Sequence, residues 1–126
     1  MNIALWTGQI VLALLFALSG SLKSTMSRQR MLETGQTGAA AYPLPVVRFA
    51  AVCELLAVLG LTLPQLTGVA PALTGWAALG LVVVMIGAMA MHARLAITRH
   101  KAAEWRNVGV NVLILALAAF VATGRL

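Results

Sequence analysis

Long apolar runs separated by short polar stretches organise this chain. The first runs from Ile3 to Leu22 and carries no charge. The second runs from Pro45 to Leu63 and carries Arg48 and Glu54. The third, Pro71 to Met91, and the fourth, Asn107 to Gly124, are uncharged. Each is close to the roughly 20 residues that an α-helix needs to cross ~30 Å of hydrocarbon at ~1.5 Å per residue. The runs are continuous rather than alternating, which sets them apart from membrane β-strands. The pattern predicts an all-α fold, an integral membrane four-helix transmembrane bundle forming one domain over 1–126. Pro45 and Pro71 suit a first helical turn, where the missing N–H is not needed. Pro64 is expected to end the second helix. Trp6, Tyr42, Trp76 and Trp105 fall near the predicted ends, where amphipathic rings settle at headgroup level. No Lys or Arg precedes the first run, and it is longer than a signal-peptide core, so a retained helix is expected.

Composition narrows the class. The chain is 61% hydrophobic and 10% charged, against about 45–50% and about 25% in soluble domains. That excludes a water-soluble fold, and disorder requires the opposite balance. A single cysteine closes no internal disulfide and supplies no cysteine-rich zinc site. Most of the net charge of +6 lies between the apolar runs. Lys23, Arg28 and Arg30 face Glu33 in the first connection; Arg94, Arg99, Lys101 and Arg106 face Glu104 in the third; the middle connection, 64–70, has no charge. An even number of crossings puts both termini on one side and both basic connections on the other. The positive-inside rule then makes the basic loops cytoplasmic and both termini external, in a cell's inner (plasma) membrane. This placement fits anionic lipid headgroups and not nucleic acid.

The halves repeat weakly, each reading helix, basic loop, helix. Val47-Arg48 opens the second helix of one half and Trp105-Arg106 that of the other, followed by Glu54 and Asn111. Parallel half-repeats of this kind occur in membrane proteins, although any four-helix chain with basic loops shares the outline.

Glu54 stands out chemically. It lies about nine residues into the second predicted helix, roughly 13 Å from its loop end. An ionisable group at such depth costs about 2.5–3.5 kcal/mol on insertion scales and marks a candidate functional site. Ala50, Glu54, Ala57 and Leu61 share a face whose small residues admit a neighbouring helix, so Glu54 should point into the bundle. A helix-joining clasp with Arg or Asn is the alternative reading. Arg48, six residues earlier, sits roughly 120° away around the helix. It is expected at a headgroup, at a loop, or reaching inward along a neighbour.

Ser19 and Lys23 lie one turn apart. A nucleophile–base pair is conceivable, but no orienting group accompanies it. Lys23 fits better as a cation at a cavity mouth. His92 ends the third predicted helix on a stripe with Met85 and Ala88; a simple interfacial histidine is the first reading, and hydrogen bonding or proton transfer the other. It lacks the ligand-spaced partners of a metal site. Asn107 and Asn111 are one turn apart on the fourth helix, as hydrogen-bond glue between helices or equally as groups orienting Glu54. Cys53 is expected to be inert. The polar residues gather in the loop-end half, whereas the other half is nearly all aliphatic. A bundle would then enclose a pocket open to the cytoplasm, with a carboxylate at its base.

Phe16-Ala17-Leu18-Ser19-Gly20-Ser21-Leu22-Lys23 resembles the end of the first helix in DoxX-like proteins. Arg48-Phe49-Ala50-Ala51-Val52-Cys53-Glu54, continuing to Leu63-Pro64 and Gly68, resembles their second helix and turn. Met85 to His92, and Asn111, resemble the third and fourth helices. The resemblance covers most of the chain, and Arg…Glu…Pro is its most specific part. It implies a four-helix transmembrane bundle. Some relatives are membrane subunits of sulfur or thiol oxidoreductase systems that deliver electrons to quinone. By resemblance, the ligand-binding positions are Lys23, Arg48, Glu54, His92 and Asn111. The chain has one cysteine and no haem-type His pair within its helices, so redox chemistry would need a partner protein. The leading expectation is a small amphipathic ligand, quinone-like in type, or a membrane subunit serving a redox partner. A proton-coupled small-molecule transporter and a membrane-protein assembly factor are the other expectations. Self-association is also expected, since four short helices bury little surface.

Overall fold

A computed structural model of the chain describes residues 2–33, 42–98 and 103–126, apart from the side chains of Arg28 and Leu32. It is all-helical over those residues, with α1 Asn2–Thr25, α2 Arg28–Glu33, α3 Leu44–Thr67, α4 Leu73–Thr98 and α5 Ala103–Arg125. Four of these, α1, α3, α4 and α5, are long and apolar enough to cross a membrane. Phe49, Leu56, Val83, Ile97 and Leu113 are exposed on their outer surfaces. In water this would be a liability, but against acyl chains it is the expected surface. Arg99, His100 and Lys101 lie outside the described residues.

The helices are longer than the apolar runs predict. α1 continues to Thr25, α4 passes His92 and Arg94 to Thr98, and α5 starts at Ala103. Hydrophobicity marks where lipid ends, not where the helix ends. Lys, Arg and Glu are good helix formers, so nothing in these stretches stops the backbone ladder. Lys23, His92, Arg94, Glu104 and Arg106 are therefore helical residues rather than loop residues. Pro64 does not end the second helix either. α3 runs one turn past it, and the terminator is Gly68, left-handed at φ 73°, whose N–H bonds the Pro64 carbonyl. A proline this close to a C-terminus removes a single backbone bond, whereas the left-handed cap suits glycine. Pro71 precedes α4 instead of opening it, and its carbonyl accepts from Thr74 N–H and from Gln65 Nε2.

The long helices form a ring in the order α1, α3, α4, α5. The α1–α3 and α4–α5 pairings are the most extensive, matching the two half-repeats. Leu12, Leu61, Ala78, Leu81, Ala118 and Val121 are sealed in the centre. Small residues allow the close approaches. A Cβ on Gly20 would lie 2.8 Å from the Leu55 side chain and 3.0 Å from the Ala51 carbonyl. One on Gly60 would lie 2.8 Å from Ala77 Cβ. Hydroxyls are largely self-satisfied: Thr7, Ser24, Thr25, Thr62, Thr67 and Thr98 each donate to the carbonyl four residues back. This keeps polar hydrogens occupied where water is scarce.

The terminal end is less aliphatic than expected. Gln9 is fully buried; its Nε2 donates to the Leu61 carbonyl (2.7 Å) and its Oε1 accepts from Arg125 Nε (2.7 Å). Arg125 also donates to Asn2 and lies over the Trp6 ring. These bonds hold the first and last turns side by side, so both termini are at one end of the bundle. At the opposite end, Ser27 Oγ accepts from Arg30 N–H and starts α2. Met31 of α2 is wholly buried against Met26, Leu44 and Val47.

Gly20→Val should lower stability in detergent by about 1–3 kcal/mol, because its branches meet Leu55 and the Ala51 backbone. Gly80→Ala, where nothing lies within 4 Å of the new Cβ, should be neutral or stabilising. Thermal unfolding of the two variants side by side checks this.

Candidate functional site

Glu54 occupies the inner face of α3 with Val47, Ala51 and Leu61, and only 2% of its surface is exposed. Close contact at Gly20 brings α1 near enough for Ser19 and Lys23, one turn apart, to reach it together. Ser19 Oγ donates to Oε2 at 3.2 Å and Lys23 Nζ to Oε1 at 3.1 Å. Ser19 thus departs from the i−4 bonding of Thr7, Ser24, Thr25, Thr62, Thr67 and Thr98, because a carboxylate is within reach. Both carboxylate oxygens are engaged, as a buried charge requires. The Lys23 side chain is about one-third exposed.

The separation of Arg48 from the face of Glu54 has a structural counterpart. Its Nη1 donates to the Lys23 carbonyl at 2.7 Å. That carbonyl belongs to the last turn of α1, where acceptors lack helical partners and a cation is favoured. Arg48 therefore ties α3 to the end of α1, and it does not line the cavity described below.

A second carboxylate lies on the other half of the ring. Glu104, in the first turn of α5, is 3% exposed. Its Oε2 lies 2.5 Å from His92 Nδ1 and accepts from Asn107 Nδ2 at 3.1 Å. Sequence reasoning missed this residue by treating it as a loop charge offsetting its basic neighbours. The available signal was spacing: Glu104, Asn107 and Asn111 recur at three and four residues, one face of a helix.

Between the two clusters lies a cavity of about 700 Å³. Ser19, Lys23 and Glu54 contribute to one side, and His92, Asn107 and Asn111 to the other. Leu18, Val46, Val84, Met91, Val110 and Ile114 are among the apolar lining residues, and Met31 and Tyr42 also line it. The volume falls within the ~300–1,000 Å³ typical of small-molecule sites. Of the positions carried over by resemblance, Lys23, Glu54, His92 and Asn111 meet at this cavity and Arg48 does not. Cys53, half-buried, is also absent from its lining. An apolar chamber with polar groups at two separated points can hold an amphiphile and fix its orientation.

The chain belongs to the DoxX-like family, whose family model matches residues 7–121. That span takes in nearly the whole bundle, and with four membrane-length apolar helices the chain is a multi-pass membrane protein. No curated protein and no solved structure matches it.

Lys23→Met should destabilise the protein by about 1–3 kcal/mol, a range reduced for the partial exposure of Lys23, because Glu54 is left buried beside Ser19 alone. Lys23→Met with Glu54→Leu should recover most of that loss. Unfolding of both variants in the same detergent measures the difference.

Proposed function

We propose that the cavity between the Ser19–Lys23–Glu54 and His92–Glu104–Asn107 clusters binds a small amphipathic ligand, with Glu54 as hydrogen-bonding or proton-holding group. The observation that carries this reading is the cavity itself. Had Glu54 been packed between helices without a void, its ion pair would be sufficiently explained as a helix clasp, and an assembly role would fit better. Instead the pair opens onto a chamber with apolar walls. A quinone-like molecule suits such a site, as a ring with polar oxygens and an apolar tail. Lys23 sets the polarity near the bundle end, and Arg48 contributes by holding the turn that carries Lys23.

This reading places the cavity end at the cytoplasmic face of an inner (plasma) membrane, because the basic connections lie there. Electrons, if the ligand carries them, would come from a redox partner protein, since the chain contains a single cysteine. Self-association in the bilayer accompanies the same reading. A proton-coupled transporter would use the same carboxylate. It would also have to open the sealed layer of Leu12, Leu61, Leu81 and Val121, which closes the chamber from the terminal end.

Purification in native lipid, followed by mass spectrometry of retained small molecules, tests the proposal. A quinone or related amphiphile should co-purify and should be lost from Ala50→Phe, which fills the chamber from α3. Phospholipid alone, retained equally by both proteins, would contradict it. Proton-dependent flux in proteoliposomes would favour the transporter.

A further inference from the structure

The polar groups around the cavity also constrain the ligand's charge, an inference that rests on the site proposed above. Each carboxylate is already held against a basic side chain: Glu54 against Lys23 at 3.1 Å, and Glu104 against His92 at 2.5 Å. Ser19 and Asn107 occupy further acceptor positions on the same two groups. Among the described lining residues no further charge faces the cavity, so an ionic head group there would have to break one of these pairs or lie unmatched among apolar walls, and both are costly.

Asn111 is arranged differently. It lines the cavity from α5, yet its Nδ2 is buried without a hydrogen-bond partner. Asn107, one turn earlier, spends its own Nδ2 on Glu104, so no carboxylate contact accounts for Asn111. An unsatisfied buried amide nitrogen is unfavourable. The terminal torsion of Asn is soft, and a small rotation can turn the donor onto an acceptor placed in the chamber.

We infer that the ligand is an uncharged amphiphile whose head group carries a carbonyl-type hydrogen-bond acceptor, and that Asn111 is the donor that anchors it. The apolar remainder lies along α3, α4 and α5 beside Val46, Val84 and Val110. Selectivity against anions and cations follows from the two closed pairs, whereas selectivity for an acceptor follows from Asn111.

The test measures binding of four probes to the full chain in nanodiscs: a decyl-substituted benzoquinone, dioctanoylglycerol, decanoate and decyltrimethylammonium. The neutral carbonyl compounds should bind more tightly than both ions. Whichever neutral compound leads separates a quinone from a glycerolipid as the source of the carbonyl. Asn111→Leu, close in volume, should weaken neutral binding roughly three- to tenfold. Its thermal stability should stay unchanged or rise, because an unsatisfied buried group is removed. A purely structural asparagine would show the reverse, with lower stability and unchanged affinity. If no probe binds, the ligand-site reading itself falls. If the ions bind as well as the neutral compounds, or Asn111→Leu binds normally, this inference falls while a ligand site remains.

Discussion

The arrangement depends on a carboxylate held inside an apolar bundle. Glu54 lies ten residues beyond the start of α3, roughly 15 Å along its axis. At that position it must be matched from a neighbouring helix. The match comes from Ser19 and Lys23, which reach it because Gly20 allows α1 to lie against Ala51 and Leu55. Arg48 in turn secures the carbonyl of Lys23. Packing, capping and ion pairing in the first half of the chain thus form one connected set. The second half solves the same problem with His92, Glu104 and Asn107.

The two ends of the bundle differ for physical reasons. At the terminal end, Gln9 and Arg125 join α1, α3 and α5 through side-chain and backbone bonds, next to a layer of fully buried aliphatic residues. At the loop end the helices carry their polar groups in two clusters on opposite sides, and the space between them stays open. The cavity is thus bounded by the sealed aliphatic layer on its terminal side and by the two polar clusters toward the loop end.

Much of this was legible in the sequence. Four apolar runs specify four crossings, and Arg…Glu…Pro together with Ser19–Lys23 points to the family. The inward turn of Glu54 follows from the small residues sharing its face. Helix ends were not legible from hydropathy, because Lys, Arg and Glu continue a helix beyond the lipid, and Gly68, not Pro64, stops α3. Glu104 was hidden for the same reason: an acid between basic residues looks like a surface charge until the helix is known to include it. Gln9 and Arg125 carried no sequence signal, since their contact joins opposite ends of the chain.

The most direct measurement is the through-space dipolar coupling between the Lys23 side-chain nitrogen and the Glu54 carboxyl carbon, by solid-state NMR on specifically labelled protein in lipid bilayers. A strong coupling, as a 3.1 Å contact between Nζ and Oε1 requires, together with weak lipid-to-Glu54 transfer, is the predicted result. Absent coupling, with Glu54 in contact with water or acyl chains, would contradict the account.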